Sequence, residues 1–460
     1  MSLIKSISGI RGTIGGKVDE NLTPIDAVKF AAAYGSWLKG QAGKAHVKVV
    51  IGRDARISGE MIQNLVQYTL IGLGIDVVNI GLSTTPTVEV AVPMEKADGG
   101  IILTASHNPK EWNALKLLNN KGEFVSDQDG KAILKIAQEN DFSFATVDHL
   151  GKLTLDDQYI DLHIEKVLAL PLVTAEAIQK KKFRVVVDAV NSTGGIAIPR
   201  LLERLGVEVV KLYCEPNGHF PHNPEPLKEH LGDICKRVVE EKADFGIVVD
   251  PDVDRLAFIT DKGEMFGEEY TLVACADYVL GKAKGNVVSN LSSSRALRDI
   301  AQKHGVSYSA AAVGEVNVVT EMKRVEAIIG GEGNGGIIYP ELHYGRDALV
   351  GVALFLSLLA ERGGSVQQLR ESYPAYFMSK NKIQLTEQIN PDQILKAMEQ
   401  KYAHEQTTTI DGLKIDFADS WVHLRKSNTE PIIRIYTEAK SQKEADALAH
   451  RFIEEMQALI

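Results

Sequence analysis

Residues 47–80 read VKVVIGRDARISGEMIQNLVQYTLIGLGIDVVNI. An apolar strand is followed by a polar loop at Gly52–Ser58, an amphipathic helical segment to Leu73, and a second apolar strand at Ile75–Ile80. Gly74 stands where the helix must end and the chain must turn back, a position that favours a left-handed glycine. A strand–helix–strand unit of this length predicts parallel pairing with a right-handed crossover.

The same plan occurs twice more along the chain, which is the pattern of an internal repeat. In each copy a first strand, a helix-ending glycine and a second strand can be recognised: Arg184–Asp188, Gly206 and Val207–Leu212, and then Asn286–Asn290, Gly305 and Val306–Ala310. Three copies in series predict three α/β domains.

The pattern changes from about Tyr373. Strand-like Trp421–Leu424 and Ile432–Tyr436 flank a short loop, and the helix that follows starts with the capping-box pair Ser441 and Glu444. We therefore expect an α/β protein of three similar α/β domains with mixed, largely parallel sheets in series, plus a C-terminal α+β domain. The predicted domains are residues 1–150, 151–260, 261–372 and 373–460.

Composition narrows the classes of function. Hydrophobic residues make up 44% and charged residues 24% of the 460 residues, as in globular proteins with an ample core. Three cysteines without a C-x-x-C pair argue against structural zinc and a disulfide framework. Without a signal-peptide pattern or a long apolar run, we expect a cytoplasmic protein with no membrane partner. A net charge of −10 with scattered cations argues against nucleic acid, and no obligate protein partner is evident.

The first chemical cluster is TASHNP at residues 104–109, directly after the apolar run Ile101–Leu103. Ligands bind at the carboxyl ends of parallel strands, so Ser106 stands where backbone amides can stabilise a phosphate. An ordinary Ser/Thr turn that closes a strand is the alternative. The G-x-S-x-G pattern of serine hydrolases is absent here.

The second cluster is DPDVDR at residues 250–255, which also follows an apolar run. Three carboxylates packed together would raise one another's pKa by repulsion, whereas Mg²⁺ prefers carboxylate oxygen. A solvated acidic turn is one alternative. A calcium-binding EF-hand loop is another, although Arg255 and Asp261 stand where that loop needs Gly and Glu.

Two further loops carry side chains that suit a sugar phosphate. GGEGNGG at residues 330–336 sets Glu332 and Asn334 among glycines that let a ligand approach the backbone, and both side chains suit sugar hydroxyls. RKSNTEPIIR at residues 425–434 offers an arginine, small hydrogen-bonding side chains and free amides, which fits a phosphate dianion. A flexible turn and a plain polar hairpin are the alternatives.

Together the four clusters resemble the α-D-phosphohexomutase superfamily along the whole chain, and TASHNP and DPDVDR are the most specific strings. The resemblance implies a phosphorylated serine, Mg²⁺ bound by that phosphoserine and three aspartates, and a hexose 1,6-bisphosphate as priming activator. It assigns site residues in four groups: catalytic Ser106, Lys116, Arg11, His107 and Arg255; metal-binding Ser106, Asp250, Asp252 and Asp254; sugar-binding Glu332, Asn334 and Gly335; phosphate-binding Arg425, Ser427, Asn428, Thr429 and Arg434.

The implied reaction moves a phosphoryl group within one hexose phosphate. Ser106 gives its phosphoryl group to the free hydroxyl of a hexose monophosphate, and the other phosphate of the resulting bisphosphate returns to Ser106. Lys116, as the general base, needs a pKa well below its ordinary value of about 10.4. Many members of the superfamily carry His where this chain has Gly336, and His343 is the one replacement we consider for it.

SGIRG at residues 8–12, the glycine-rich loop and SNTEPIIR at residues 427–434 most resemble phosphoglucosamine mutases of the archaeal-like branch. The resemblance implies glucosamine 6-phosphate and glucosamine 1-phosphate as substrates. Phosphoglucomutase and phosphomannomutase activities stay open, because one substituent at C2 separates the sugars. A Mg²⁺-dependent phosphatase with Asp250 as nucleophile and Asp252 as acid/base, and a non-catalytic protein that binds sugar phosphates, also stay open.

Overall fold

A computed structural model describes residues 2–6, 9–43, 46–386, 389–427 and 432–459 of the chain. The chain divides into a first unit, Met1–Val279 with Asn334–Gln367, and a second unit, Leu280–Gly333 with Gln368–Ile460. Among the described helices, none combines the length and the apolar character needed to cross a bilayer.

The strands are β1 (Ile4–Ser6), β2 (Gly9–Thr13), β3 (Val47–Arg53), β4 (Ile75–Leu82), β5 (Gly99–Leu103), β6 (Trp112–Leu118), β7 (Leu153–Leu155), β8 (Arg184–Asp188), β9 (Glu208–Leu212), β10 (Phe245–Val249), β11 (Leu256–Ile259), β12 (Asn286–Asn290), β13 (Tyr308–Ala311), β14 (Ala327–Glu332), β15 (Gly336–Ile338), β16 (Phe377–Gln384), β17 (Gln406–Thr408), β18 (Leu413–Asp416), β19 (Trp421–Lys426) and β20 (Ile432–Ala439). The α-helices are α1 (Pro24–Ala42), α2 (Gly59–Gly72), α3 (Thr85–Met94), α4 (Asp127–Glu139), α5 (Tyr159–Leu168), α6 (Ala175–Lys181), α7 (Gly194–Arg204), α8 (Gly232–Glu240), α9 (Glu268–Lys282), α10 (Ala296–His304), α11 (Glu315–Arg324), α12 (Ala348–Arg362), α13 (Val366–Glu371), α14 (Pro391–Lys401) and α15 (Gln442–Gln457). Two short 3₁₀ helices cover Val147–His149 and Lys228–His230.

The first sheet, in the first unit, has the strand order β1-β2-β6-β5-β3-β4-β7. β3 pairs in parallel with β4 and β5, whereas β6 is antiparallel to both β5 and β2. Every residue of β5 is buried, as its unbroken apolar and glycine sequence favours. Ser106 follows this strand, and Lys116 lies on β6 opposite Ile102 of β5.

The second sheet also belongs to the first unit and has the order β11-β10-β8-β9. β8 is parallel to β9 and β10, and β11 returns antiparallel to β10. All of β10 is buried. The DPDVDR loop joins β10 to β11, so its carboxylates lie at the carboxyl end of a parallel strand, where the sequence predicted a ligand site.

The second unit contains the parallel strands β13-β12-β14 and an antiparallel sheet with the order β16-β20-β19-β18-β17. Buried side chains of α14 and α15, such as Met398 and Phe452, pack in one apolar cluster with Leu424 and Ile433 of this sheet. At the start of α15 the Glu444 N–H donates to Ser441 Oγ at 3.2 Å. The predicted helix start at Ser441 is therefore confirmed.

The predicted fold class is confirmed, with three α/β domains followed by an α+β domain. Gly74, Gly206 and Gly305 have φ values of 79°, 69° and 66°, the left-handed conformation that the repeat predicted. The structure adds β1, β2 and β16–β18, which the sequence patterns did not reveal. It also pairs β7 with β4, just beyond the boundary expected at residue 150. The domain boundaries stay predictions.

Candidate functional site

Ser106 occupies a strained turn at the end of β5. Its φ of 48° is left-handed, which is uncommon for a residue other than glycine. Its N–H donates to Thr104 Oγ1 at 2.9 Å, and its hydroxyl donates to Asp250 Oδ2 at 2.7 Å. The side chain is buried. The turn therefore directs the Ser106 oxygen at the first carboxylate of the DPDVDR loop.

The guanidinium of Arg56 holds this turn from the protein interior. Its Nε donates to Asp54 Oδ2 at 2.9 Å, and Thr104 Oγ1 donates to the same oxygen at 2.6 Å. Both Arg56 and Asp54 are fully buried. The two Nη atoms donate to the backbone carbonyls of four loop residues, Ser106, Asn108, Pro109 and Trp112. Sequence reasoning missed both residues, although Asp-x-Arg at the carboxyl end of β3 was a usable signal.

Three carboxylates converge beyond β10. Asp250, Asp252 and Asp254 are each completely buried, and one oxygen from each lies within 4.8 Å of the others. The N–H groups of Asp254 and Arg255 both donate to Asp250 Oδ1 at 3.2 Å. Val253 has a φ of 64°, which bends the loop back so that alternate side chains point to one place.

The electrostatics of this cluster fit a magnesium ion. Burial, and then the charges of Asp252 and Asp254, raise the pKa of Asp250 well above its ordinary value. Asp252 Oδ1 and Asp254 Oδ1 are buried and accept no hydrogen bond from any residue that the structure describes. Carboxylate oxygens are the ligands that a hard divalent cation such as Mg²⁺ prefers, and a bound cation would also relieve the repulsion among these three side chains.

Two cationic side chains border the carboxylates. Lys116 Nζ donates to Asp252 Oδ2 at 2.7 Å and to Asp254 Oδ2 at 3.4 Å, and Arg346 Nη2 donates to Asp254 Oδ2 at 2.6 Å. Burial lowers the pKa of Lys116, but the two carboxylates outweigh burial and raise it above the ordinary value. This raised pKa belongs to the site without Mg²⁺, and the lowering expected beside Mg²⁺ and arginines stays a prediction. Burial raises the pKa of Asp254, yet Arg346 and Lys116 hold it below its usual range.

The amino end of α3 also reaches the cluster. Thr85 Oγ1 donates to Asp252 Oδ2 at 2.5 Å, and the Thr85 N–H donates to the Asp252 carbonyl at 2.8 Å. Thr85 lies in the first turn of α3, where the helix dipole favours negative charge. Neither Thr85 nor Arg346 was predicted from the sequence as a site residue.

His107, Arg11 and Arg255 lie near the same turn. The Ser106 oxygen is 3.4 Å from His107 Nδ1. Burial, followed by the charges of Arg255 and more weakly Arg11, lowers the pKa of His107 to about 2, so the ring is neutral at physiological pH. Arg255 Nη1 also lies 3.3 Å from Glu225 Oε1. Arg11 is on β2, opposite Ala114 of β6.

The glycine-rich loop contributes to each unit separately. In the second unit Glu332 Oε1 accepts from Asn290 Nδ2 at 2.8 Å and from the Gly314 N–H at 3.1 Å. In the first unit Gly335 has a φ of 87°, and its carbonyl accepts the Leu256 N–H at 3.1 Å. A Cβ on Gly335 would lie 2.2 Å from the Leu256 carbonyl oxygen, so this position requires glycine.

The hairpin of β19 and β20 sets two arginines side by side. Arg425 and Arg434 are direct cross-strand partners, and like charges in such pairs are destabilising. Asp411 Oδ2, 3.3 Å from Arg425 Nη1, balances only part of this charge. The Ser427 N–H donates to the Ile432 carbonyl at 3.0 Å, which closes the hairpin. Asn428 and Thr429 lie outside the described residues. The surplus positive charge suits a phosphate group.

Comparison with known proteins identifies the family. Models of phosphoglucomutase/phosphomannomutase α/β/α domains I, II and III and of the C-terminal domain match residues 3–144, 157–263, 267–376 and 382–455. A phosphoglucomutase/phosphomannomutase from Thermococcus kodakarensis is 36% identical over 440 residues, covering 94% of this chain and 95% of its own. The chain belongs to the phosphoglucomutase/phosphomannomutase family.

Two further members agree with this assignment. A probable phosphoglucosamine mutase from Methanopyrus kandleri is 32% identical and covers 97% of this chain and 96% of its own length. The crystal structure of a phosphoglucomutase/phosphomannomutase family protein from Burkholderia thailandensis has a TM-score of 0.85 at 26% identity, covering 99% of this chain and 98% of that one. Members of the phosphoglucomutase/phosphomannomutase family are phosphohexomutases, so the chain is an isomerase, as the sequence predicted.

Gly336 marks a departure from the residue that many phosphohexomutases carry. A Cβ at Gly336 would lie 2.2 Å from Arg346 Cδ, so the arginine fills the space that a larger residue would need. His343 lies between two carboxylates. Its Nδ1 lies 3.3 Å from Glu89 Oε2 and its Nε2 lies 3.2 Å from Asp347 Oδ2, and its role as the replacement for the missing histidine stays a prediction. Asn334 Oδ1 accepts the Gly336 N–H at 3.2 Å.

Proposed function

We propose that this phosphohexomutase carries its phosphoryl group on Ser106 and interconverts glucosamine 6-phosphate and glucosamine 1-phosphate in the cytoplasm. The observation that supports the carrier is the 2.7 Å hydrogen bond from the Ser106 hydroxyl to Asp250 Oδ2, within a buried cluster of three carboxylates. A hydroxyl so placed would lie beside a Mg²⁺ held by these carboxylates, and that ion would supply the charge neutralisation that phosphoryl transfer mainly requires.

The proposed reaction balances without water. The bond between Ser106 Oγ and phosphorus breaks, and the free hydroxyl of the hexose monophosphate forms a new bond to phosphorus while its proton passes to the departing Ser106 oxygen. The resulting bisphosphate then returns its other phosphoryl group to Ser106 Oγ and leaves as the isomeric monophosphate. A hexose 1,6-bisphosphate primes an unphosphorylated chain by the second of these transfers.

The chain's own residues would prepare this transfer. Phosphorylated Ser106, Asp250, Asp252 and Asp254 would hold Mg²⁺, which when bound supplies positive charge to the transferring phosphoryl group. Arg56 fixes the turn that presents the Ser106 oxygen. The burial of Ser106 keeps water from the phosphoserine, and this exclusion favours the sugar hydroxyl over hydrolysis.

The choice of hexose follows the sequence motifs. The resemblance of the SGIRG, glycine-rich and SNTEPIIR strings supports glucosamine phosphates, and one similar protein is called a probable phosphoglucosamine mutase. Glucose and mannose phosphates form the second candidate, because the relative at 36% identity is called a phosphoglucomutase/phosphomannomutase. Coupled assays of glucosamine, glucose and mannose 1-phosphates on one preparation distinguish them. The highest kcat/KM should belong to glucosamine 1-phosphate, and an equal or higher value for another sugar would reject that choice.

The carrier role is tested by comparing Ser106→Ala with a control variant, Ser143→Ala, which makes the same substitution at an exposed serine. With Mg²⁺ and a bisphosphate primer, the first variant should lose isomerisation and the second should keep it. A phosphatase with Asp250 as nucleophile would instead release inorganic phosphate at the parent rate in the Ser106→Ala protein. A non-catalytic binding protein would bind hexose phosphate and isomerise nothing even when unaltered.

A further inference from the structure

A cavity of about 390 Å³ lies wholly within the second unit. Its lining includes Arg295 and Arg298 at the start of α10, Tyr308 of β13, and Lys414 and Asp416 of β18. Of the described residues assigned above to sugar or phosphate binding, none lines it. Its volume falls in the range of small-molecule sites, roughly 300–1,000 Å³.

The cavity contains a buried ammonium group without an acidic partner. The side chain of Lys414 is more than nine-tenths buried, and its Nζ makes no hydrogen bond or ion pair with any residue in the described part of the chain. The ammonium lies over the Trp421 ring, 4.5 Å from the ring centroid. Burial lowers the pKa of this lysine. Burying an unpaired ammonium is unfavourable, and an anion bound in the cavity would offset the lost hydration.

Two guanidinium groups bring further unused donors to the same cavity. Arg295 Nε and Arg298 Nε are both buried, and neither donates a hydrogen bond to any described residue. The other nitrogens of Arg295 are engaged, for example with the carbonyls of Ala418 and Ser420 at 3.0 and 2.8 Å. Three different cationic side chains therefore line one cavity, and each keeps a donor unused.

The acidic groups near the cavity contact groups other than Lys414. Asp416 Oδ1 lies 3.2 Å from Arg295 Nη2 and 3.9 Å from Arg298 Nη1. Glu438 Oε1 accepts the backbone N–H of Arg295 at 3.0 Å and Trp421 Nε1–H at 2.7 Å, and burial raises the pKa of this glutamate. Lys414 thus supplies positive charge that neither carboxylate neutralises through a direct contact.

We propose that this cavity binds a phosphomonoester dianion at a site separate from the substrate site. A phosphate group presents several acceptor oxygens at once, and charge-assisted donors from Lys414, Arg295 and Arg298 match them. Tyr308 and Thr408 also line the cavity and can form hydrogen bonds to the part of the ligand that carries the phosphate. The proposal does not depend on which hexose the enzyme isomerises.

Inorganic phosphate is the probe, titrated calorimetrically into the full chain. An Arg425→Ala background weakens the phosphate loop of β19 and β20, so the part of the remaining binding that a cavity substitution removes reports the cavity. Adding Lys414→Met should weaken phosphate binding by roughly 10-fold to 150-fold, the range for losing a charge-assisted hydrogen bond. Lys443→Met, at an exposed lysine of α15, should change nothing.

Arg298→Gln provides a second variant in case Lys414→Met fails to fold, because the Arg298 side chain is about one-third exposed. It should also weaken phosphate binding in the Arg425→Ala background. The proposal is overturned if the Arg425→Ala protein binds no phosphate, or if neither cavity substitution weakens that binding in folded protein.

Discussion

Replacing Arg56 by lysine should slow phosphoryl transfer strongly while leaving substrate affinity nearly unchanged. The Arg56 side chain makes five hydrogen bonds, four to backbone carbonyls between Ser106 and Trp112 and one to Asp54. A lysine keeps the charge but has three donors on one nitrogen and no planar fork. At least two of these five hydrogen bonds are therefore lost.

The size of the effect follows from these contacts. Each hydrogen bond lost from a charged donor costs about 1.5–3 kcal/mol, so the free energy of unfolding should fall by roughly 3–6 kcal/mol. Once the turn relaxes, the Ser106 oxygen is no longer held against Asp250. A misplacement of about 1 Å can cost about 100-fold in rate, and we expect a loss of that order in kcat.

The assay is the coupled mutase reaction, run at a temperature where melting curves show the variant to be folded. Arg53→Lys is the matched control, because Arg53 donates to Gln63 Oε1 at 3.2 Å and to the Asp54 carbonyl but to no carbonyl of the serine turn. The control should keep kcat within a few-fold of the parent. An Arg56→Lys protein with the parent kcat would refute the role of Arg56 in holding the serine turn.

Three further outcomes are expected. Mg²⁺ at about a hundredfold excess over its Kd should stabilise the parent by about 2.7 kcal/mol, and Asp252→Asn should lose most of this gain in melting curves recorded with Mg²⁺ or a chelator. Burial lowers the pKa of His343, but hydrogen bonds to two carboxylates raise it to about 10, above the unfolded value of about 6.5. The contribution of His343 to the free energy of unfolding is therefore complete below about pH 6.5 and is lost as the pH rises towards 10. In urea titrations near pH 6 and pH 9, His343→Gln should make the free energy of unfolding fall less between the two pH values than it does in the parent. Gly336→Ala should push Arg346 away from its carboxylate and lower kcat, whereas Gly232→Ala, whose Cβ would meet nothing within 4 Å, should not.

The repeats and the carboxylate cluster could be predicted because their signals are local. The unit from β3 to β4 shows in an apolar run, a helical period and Gly74, all within one stretch of sequence. Asp250, Asp252 and Asp254 alternate directly after a buried strand, and a single turn at Val253 is enough to gather them. Such features need no knowledge of the rest of the chain.

The missed residues act through partners that are distant in sequence. Arg56 contacts carbonyls about fifty residues further on, Arg346 pairs with Asp254 across 92 residues, and Thr85 reaches Asp252 across 167. Only the packed fold brings these groups together. The same limit applies to Gly336, because the space beside it is filled by Arg346, and no local sequence pattern places that arginine there.

The missed strands have a different cause. β16 has the sequence FMSKNKIQ, and most of its side chains are exposed or half-buried. It lies at the edge of its sheet and is held there by backbone hydrogen bonds to β20. Such a strand can form without the apolar pattern from which strands are usually predicted.

The most direct measurement follows one phosphoryl group through the enzyme. The full chain would be incubated with Mg²⁺ and a hexose 1,6-bisphosphate carrying a labelled phosphoryl group, and its peptides would then be mapped by mass. The account predicts label on the peptide at Ser106, and its departure as labelled bisphosphate once unlabelled hexose monophosphate is added. Label on the Asp250 peptide, or its release as inorganic phosphate at the rate of isomerisation, would contradict the serine carrier.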